Sequence, residues 1–258
     1  MMPLILTLPL LFASAEVPRF PDAALQLAHA RAKKQELRGL DGPARERARE
    51  AAVDAYRAVR EHHPRDRAAV AEVAFRAGEL LRAAERLDEA RLEFGVAAHE
   101  GAESGFRARA RLELGHLARR AGDHGEALAQ YLAVLSDPEA CGHERDEALF
   151  WTGRVHAANG DEAGARREWE EVAEGALDPV LRVRAYDELG LAWLRRGDAP
   201  AAAGEWNRCL FALADEALEE TETGARVRAA LEGSRTLRSL QETARRAATR
   251  ASAARENK

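Results

Sequence analysis

The residues best suited to metal or covalent chemistry are few: His62 beside His63, the separated histidines His116 and His156, and two cysteines, Cys141 and Cys209. Adjacent residues on a helix point in different directions, so His62 and His63 do not converge on one ion; Pro64 after them marks a solvated helix end. No His-Glu-x-x-His or paired-cysteine spacing of the kind zinc needs is present. No glycine-rich loop follows a strand-like run, and no serine stands in a nucleophile-elbow context. The carboxylates are plentiful but unfocused, as on a solvated face. These residues imply no catalytic group, no metal and no cofactor, and the chain reads as non-enzymatic.

The elements that carry these residues are helices. The 258 residues are 46% hydrophobic but only 5% aromatic, and lysine occurs only at Lys33, Lys34 and Lys258. Alanine, arginine, leucine and glutamate are good helix formers, whereas the β-branched residues a sheet favours are sparse. A net charge of −5 gives no nucleic-acid footprint. At the start, the apolar run Leu4 to Phe12 leads into Ala13-Ser14-Ala15 and Glu16. This pattern reads as a signal peptide over 1–15, the alternative being a short hydrophobic helix, since no Lys or Arg precedes the run. The run is too short to span a bilayer, which takes about 20 residues.

Four segments of the chain align with one another. Gly78, Gly115, Gly153 and Gly190 recur at spacings of 37, 38 and 37 residues, as do Ala90, Ala127, Ala165 and Ala202, and Phe94, Tyr131, Trp169 and Trp206. A period of this size marks a solenoid. Each unit reads as helix, turn, helix, for example Glu147 to Asn159, Gly160-Asp161, and Glu162 to Glu174. Glycine takes the left-handed conformation that ends the first helix, and aspartate caps the second. Gly122-Asp123 and Gly197-Asp198 repeat the turn, while Glu85-Arg86 replaces it in the first full unit. Each glycine inside a first helix costs about 1 kcal/mol relative to alanine, so a neighbour must approach too closely for a side chain. His116 and His156 stand at +1 and +3 from these glycines and face different sides. Cys141 lies in a linker two units before the helix of Cys209, too far for the ~7 Å Cα separation of a disulfide.

Leu189-Gly190 with Trp193, Gly197, Ala202 and Trp206, and Leu114-Gly115 with Gly122, Ala127 and Tyr131, resemble the tetratricopeptide repeat signature. The run Asp146 to Trp151 leading into Asn159-Gly160-Asp161 resembles the longer repeats of bacterial cell-envelope proteins. The resemblance spans about residues 66–212. It implies an all-α helix-turn-helix solenoid, a right-handed superhelix closed by a long C-terminal helix, with the first helices lining a concave groove. Counting −6, −3, +1 and +4 from each repeat glycine gives one stripe at helical spacing. It contains Glu72, Phe75, Glu79 and Arg82; Arg109, Leu112, His116 and Arg119; Glu147, Phe150, Arg154 and Ala157; and Arg184, Asp187, Leu191 and Leu194, with Trp151 alongside. Apolar anchors mixed with arginines suit a partner-binding face. The Lys and Asn pairs with which chaperone-binding relatives clamp a terminal carboxylate are missing.

The expected organisation is a degenerate helix pair over 16–65 (Asp22 to Arg38, a break at Gly39 to Gly42, Pro43 to Glu61), four repeats over 66–218, and 219–258 as an acidic linker followed by one helix from about Gly224 to Ala254. Residues 223–258 carry nine Arg or Lys against three Glu, a net of +6, leaving −11 elsewhere. With Leu231, Leu237 and Leu240 on one stripe, this helix can cap the open solenoid, contact an anionic surface, or lie against the acidic part of its own chain. The functional expectation is a scaffold or adaptor binding another protein or peptide segment, exported to the periplasm; the alternative is a cytoplasmic module docking a separate enzyme. Neither reading gives a nucleic-acid partner, and both leave oligomeric state open.

Overall fold

The computed structural model describes residues 17–101 and 105–256, without the side chains of 244 and 247–256, and shows helices and no strand among them. The expected leader, 1–15, lies outside the described residues. The chain divides into two compact units, the first ending at Glu93 and the second starting at Phe94.

In the first unit α1 (Ala23–Gln35), α2 (Gly42–His62) and α3 (Arg67–Ala83) lead into α4 (Leu87–Glu100), within which the division falls. The carboxylates of Asp22 and Asp66 cap α1 and α3, accepting from the amides of Leu25 (2.8 Å) and Ala69 (3.0 Å). Pro43 stands in the first turn of α2, where its missing N–H costs nothing. Helix α2 packs on both α1 and α3, burying Val53, Tyr56, Val59 and Val73. Two helices thus span this region, separated by residues 36–41.

The second unit continues with α5 (Phe106–Arg120), α6 (His124–Leu135), α7 (Gly142–Ala158), α8 (Glu162–Gly175), α9 (Pro179–Arg195) and α10 (Ala199–Ala212), each packed on the next. Gly122, Gly160 and Gly197 have φ of 80°, 81° and 78°. Asp123, Asp161 and Asp198 then cap the following helices through the amides of Glu126, Gly164 and Ala201 at 2.9 to 3.0 Å. At the matching turn of the first unit Glu85 takes φ 60°, a conformation that costs a side-chain-bearing residue roughly 1–2 kcal/mol. Helix α7 starts five residues before the expected Glu147, because Cys141 and Glu144 form a capping box there.

The repeat glycines hold the helices together closely. A Cβ on Gly115 would lie 2.5 Å from the Tyr131 ring, and one on Gly153 2.6 Å from the Trp169 ring. The aromatic of each of these repeats thus occupies the slot beside its own glycine. Trp169 also donates its Nε1–H to the carbonyl of Phe150 at 3.2 Å. At Gly190 the slot is filled by Thr236, 2.6 Å from a would-be Cβ.

Thr236 belongs to the C-terminal region, where the single helix expected from Gly224 to Ala254 is corrected to two. The short α11 (Ala214–Leu218) lies in the acidic stretch, then α12 (Glu222–Glu232) ends at Gly233 and α13 (Arg235–Glu256) begins. Ser234 makes the break by capping α13, its Oγ accepting from the Leu237 amide at 3.1 Å. Helix α12 packs on α9 and α11, and α13 packs on α9 and α10; Leu231 and Leu237 join the core of Trp169, Leu189 and Leu213. The region covers the end of the fourth repeat and also reaches its acidic residues.

Candidate partner-binding face

Within each unit, charges on neighbouring first helices pair across the gap between them. Arg31 on α1 reaches Glu72 on α3 at 2.6 Å, and Lys34 reaches Glu79 at 3.6 Å. In the second unit His116 on α5 meets Glu147 on α7 at 3.5 Å, and Arg154 on α7 meets Glu188 on α9 at 3.7 Å. The second helices do the same, Arg57 to Glu93 at 2.7 Å and Arg208 to Glu174 at 3.0 Å. Exposed pairs of this kind contribute at most about 1 kcal/mol each, but their recurrence explains why a stripe facing neighbouring helices is so charged.

This pairing, and burial, revise the expected stripe. In the first unit Glu72 and Glu79 are tied to α1, Phe75 is core at 2% exposure, and Arg82 is exposed. A cleft of about 470 Å³ opens there beside Arg31, Lys34 and Arg38. Tyr56 borders it, and burial pushes its phenol up to about 12. In the second unit Leu112 and Phe150 are core at 5% and 3% exposure, so neither is a surface anchor. Asp187 is buried as well. Arg109, His116, Arg119, Trp151, Arg154 and Leu191 are half-buried, and Arg184 is exposed.

Trp151 organises what remains. The guanidinium carbons of Arg119 and Arg154 lie 4.3 and 5.3 Å from its ring centroid, within cation–π range. The His116 ring meets it edge-on at 5.1 Å, and His116 Nδ1 lies 2.8 Å from the hydroxyl of Tyr131. The hydrogen bond from His116 holds the Glu147 carboxyl below the usual carboxylate range, opposed by desolvation. Burial pushes the Tyr131 phenol up to about 12. Of the two cysteines, both free, Cys141 is exposed and Cys209 buried, which drives its thiol up to about 12 and leaves it protonated.

Beside Trp151 a cleft of about 860 Å³ runs between α7, α9 and the α12–α13 region. Its wall carries Arg154, Arg184, Arg226, Arg235 and Arg238 against the carboxylates of Asp187 and Glu188. Asp187 accepts from Ser234 Oγ at 2.7 Å, from the Thr236 amide at 2.9 Å and from Arg235 Nε at 3.2 Å. Arg235 Nη2 also donates to Glu188 at 2.8 Å, and Thr236 Oγ1 to the carbonyl of Asp187 at 2.9 Å.

No family model matches the sequence. Comparison with curated proteins gives no match either. Solved structures do match. One crystal structure of MamA protein superposes with a TM-score of 0.57 at 16% identity, covering 77% of this chain and 96% of that one. A second MamA structure gives 0.53 at 18%, covering 70% and 99%. BtubC (BKLC) from P. vanneervenii gives 0.54 at 16%, covering 79% and 95%. These neighbours are helical proteins of the tetratricopeptide type. The chain has a tetratricopeptide-repeat-like fold. Of the residues lining this cleft, the sequence pointed to Phe150, Trp151, Arg154, Arg184 and Asp187 but missed Glu188, Arg226, Arg235 and Arg238. The signal for the last three was their excess positive charge, and the Gly233-Ser234 pair, a helix stop followed by a cap, was the signal that the region folds back.

Proposed function

We propose that this protein is a non-enzymatic interaction adaptor that binds a segment of a partner protein on the first-helix face of its second unit, around Trp151. The observation that supports this most directly is the contrast between two adjacent residues. Phe150 is spent on the core, whereas Trp151 stays partly open with Arg119 and Arg154 against its ring. Tryptophan and arginine in a partly desolvated setting are the residue types that dominate binding hot spots. The apolar run and small-residue pattern of residues 1–15 support a place outside the cytoplasm, in the periplasm.

Trp151→Ala combined with Arg154→Glu removes the native partner during affinity purification from the source cells, whereas Phe211→Ala, at a fully exposed site away from this face, leaves it in place. Retention of every partner by the double variant, with its helical melt preserved, refutes the placement of the face. N-terminal sequencing of the native protein tests the location: a mature start at Glu16 supports export, and an intact Met1 in the cytoplasmic fraction refutes it.

A further inference from the structure

We propose that the cleft between α7, α9 and the α12–α13 region is a docking site for an acidic, extended segment of a partner protein, with the chain's own C-terminal region supplying three of the five arginines of its basic wall. The proposal rests on the adaptor reading above and gives it a chemistry.

Charge complementarity carries it. Five arginines line the cleft against two carboxylates, and both carboxylates are already engaged. Asp187 is satisfied by Ser234, Thr236 and Arg235, and Glu188 by Arg235, with Arg154 farther off at 3.7 Å. Little negative charge is left inside the cleft for the rest. Arg184 on α9 is exposed and makes no hydrogen bond among the described residues, though its charge also acts on the Glu147 carboxylate outside the cleft. Arg238 donates only to the backbone carbonyls of Gly233 and Ser234. Arg226 reaches Asp178 outside the cleft at 3.5 Å, a long and half-exposed pair. Guanidinium groups present planar donor forks that match carboxylates, so the unmet donors of Arg184 and Arg238 fit Asp or Glu side chains.

The shape and the surroundings favour a short protein segment over a long polyanion. Val180 and Val183 supply apolar lining between the charges, and Trp151 closes one side; a peptide with carboxylates alternating with small apolar groups meets both. The volume of about 860 Å³ is that of a site for a few residues. Outside residues 223–258 the chain carries a net charge of −11. That field repels nucleic acid or an anionic membrane approaching over a broad front, while a segment a few residues long engages the local positive patch within a Debye length.

The test uses the full chain and an acetylated, amidated decapeptide of alternating Glu and Ala, with the Gln–Ala decapeptide as its neutral counterpart, measured by calorimetry at low and at physiological ionic strength. The Glu peptide is expected to bind at least about tenfold more tightly than the Gln peptide, and to weaken with salt. Arg184→Gln with Arg238→Gln, both exposed positions, is expected to reduce binding about tenfold or more while the thermal melt stays in place. Binding of Glu and Gln peptides alike, no binding of either, or full binding by the double variant overturns the proposal. So does tighter binding of a single-stranded oligonucleotide or of phosphatidylglycerol vesicles that displaces the peptide. If the native partner is lost from the Trp151→Ala/Arg154→Glu variant but kept by the Arg184→Gln/Arg238→Gln variant, the adaptor reading stands and the acidic-segment site falls. If neither variant loses it, both fall.

Discussion

Asp187 anchors the C-terminal region to the fourth repeat, and two substitutions separate its hydrogen bonds from its charge. Ser234 and Thr236 are both buried. Asp187→Ala leaves the Ser234 hydroxyl and the Thr236 amide without the acceptor they use at 2.7 and 2.9 Å. Each stranded buried donor costs about 1–3 kcal/mol, giving about 2–6 kcal/mol for the pair. Asp187→Asn keeps an oxygen at the same place and loses mainly the attraction to Arg235. That side chain is half exposed, so the loss is at most about 1 kcal/mol. The cost should appear as release of α12 and α13 before global unfolding, because the hydrogen bonds removed all join α9 to residues 234–236. Hydrogen exchange followed by mass spectrometry reads this directly. Peptides from α13 should exchange faster by a factor of tens or more in Asp187→Ala and only slightly faster in Asp187→Asn, with α5 and α6 unchanged in both. Equal exchange of α13 in the wild type and Asp187→Ala, or equal effects of Ala and Asn, refutes the anchoring role.

Gly153→Ala places a methyl 2.6 Å from Trp169; overpacking of about 1–3 kcal/mol outweighs the ~1 kcal/mol gained in helix propensity, so the melting temperature falls. Trp169→Ala should cost about 3–5 kcal/mol, and adding Gly153→Ala to it should cost far less than Gly153→Ala alone; additive effects in the melt would mean that the ring and the glycine do not share one slot. Glu85→Gly relieves the φ of 60° and should stabilise the protein by up to about 1 kcal/mol, read in chemical denaturation; a loss of stability would show that the Glu85 side chain contributes more than the strain costs. Tyr56 and Tyr131 ionise near 12 in the folded protein and near 10 once unfolded. The stability from keeping these phenols neutral is therefore whole below pH 10 and lost as pH rises through 12, and ultraviolet difference titration of the folded chain should show both ionising late, with Tyr186, also raised by burial, above its ordinary value. Both titrating near 10 while the far-ultraviolet spectrum remains native would contradict their burial.

The sequence disclosed the repeat because its markers are forced by backbone geometry. Gly115 and Gly153 each face a ring that leaves no room for a methyl, and Gly122, Gly160 and Gly197 hold turns that disfavour a side chain. Glu85 was recoverable as a turn only by alignment with those glycines. The face was less legible. Phe150 and Trp151 are neighbours of similar character, and the stripe count made Phe150 the anchor, whereas the structure gives it to the core. A helix with neighbours on three sides buries an arc wider than a single stripe, so spacing alone does not locate its edge. The charges that seemed to rule out a packed face are paired with the next first helix, as in Arg154 with Glu188. The cleft needed a segment far along the chain: an Arg-rich and Ala-rich tail reads as one uninterrupted helix, and no local pattern at Asp187 points to residues 47 to 49 positions later.

That distance orders events during synthesis. The slots at Gly115 and Gly153 are filled by Tyr131 and Trp169, residues that leave the ribosome soon after the glycines do, so these repeats can consolidate as they emerge. The slot at Gly190 waits for Thr236. Until then the carboxylate of Asp187 has no Ser234 or Thr236 to satisfy it, and the surface of α9 stays wet. A nascent chain stalled before residue 234 would present a half-finished end in which Arg154, Arg184 and Arg226 face Asp187 and Glu188, still without Arg235 and Arg238. The positive charge of the cleft is therefore completed only at the last stage of translation, together with the contacts that seat it on α9.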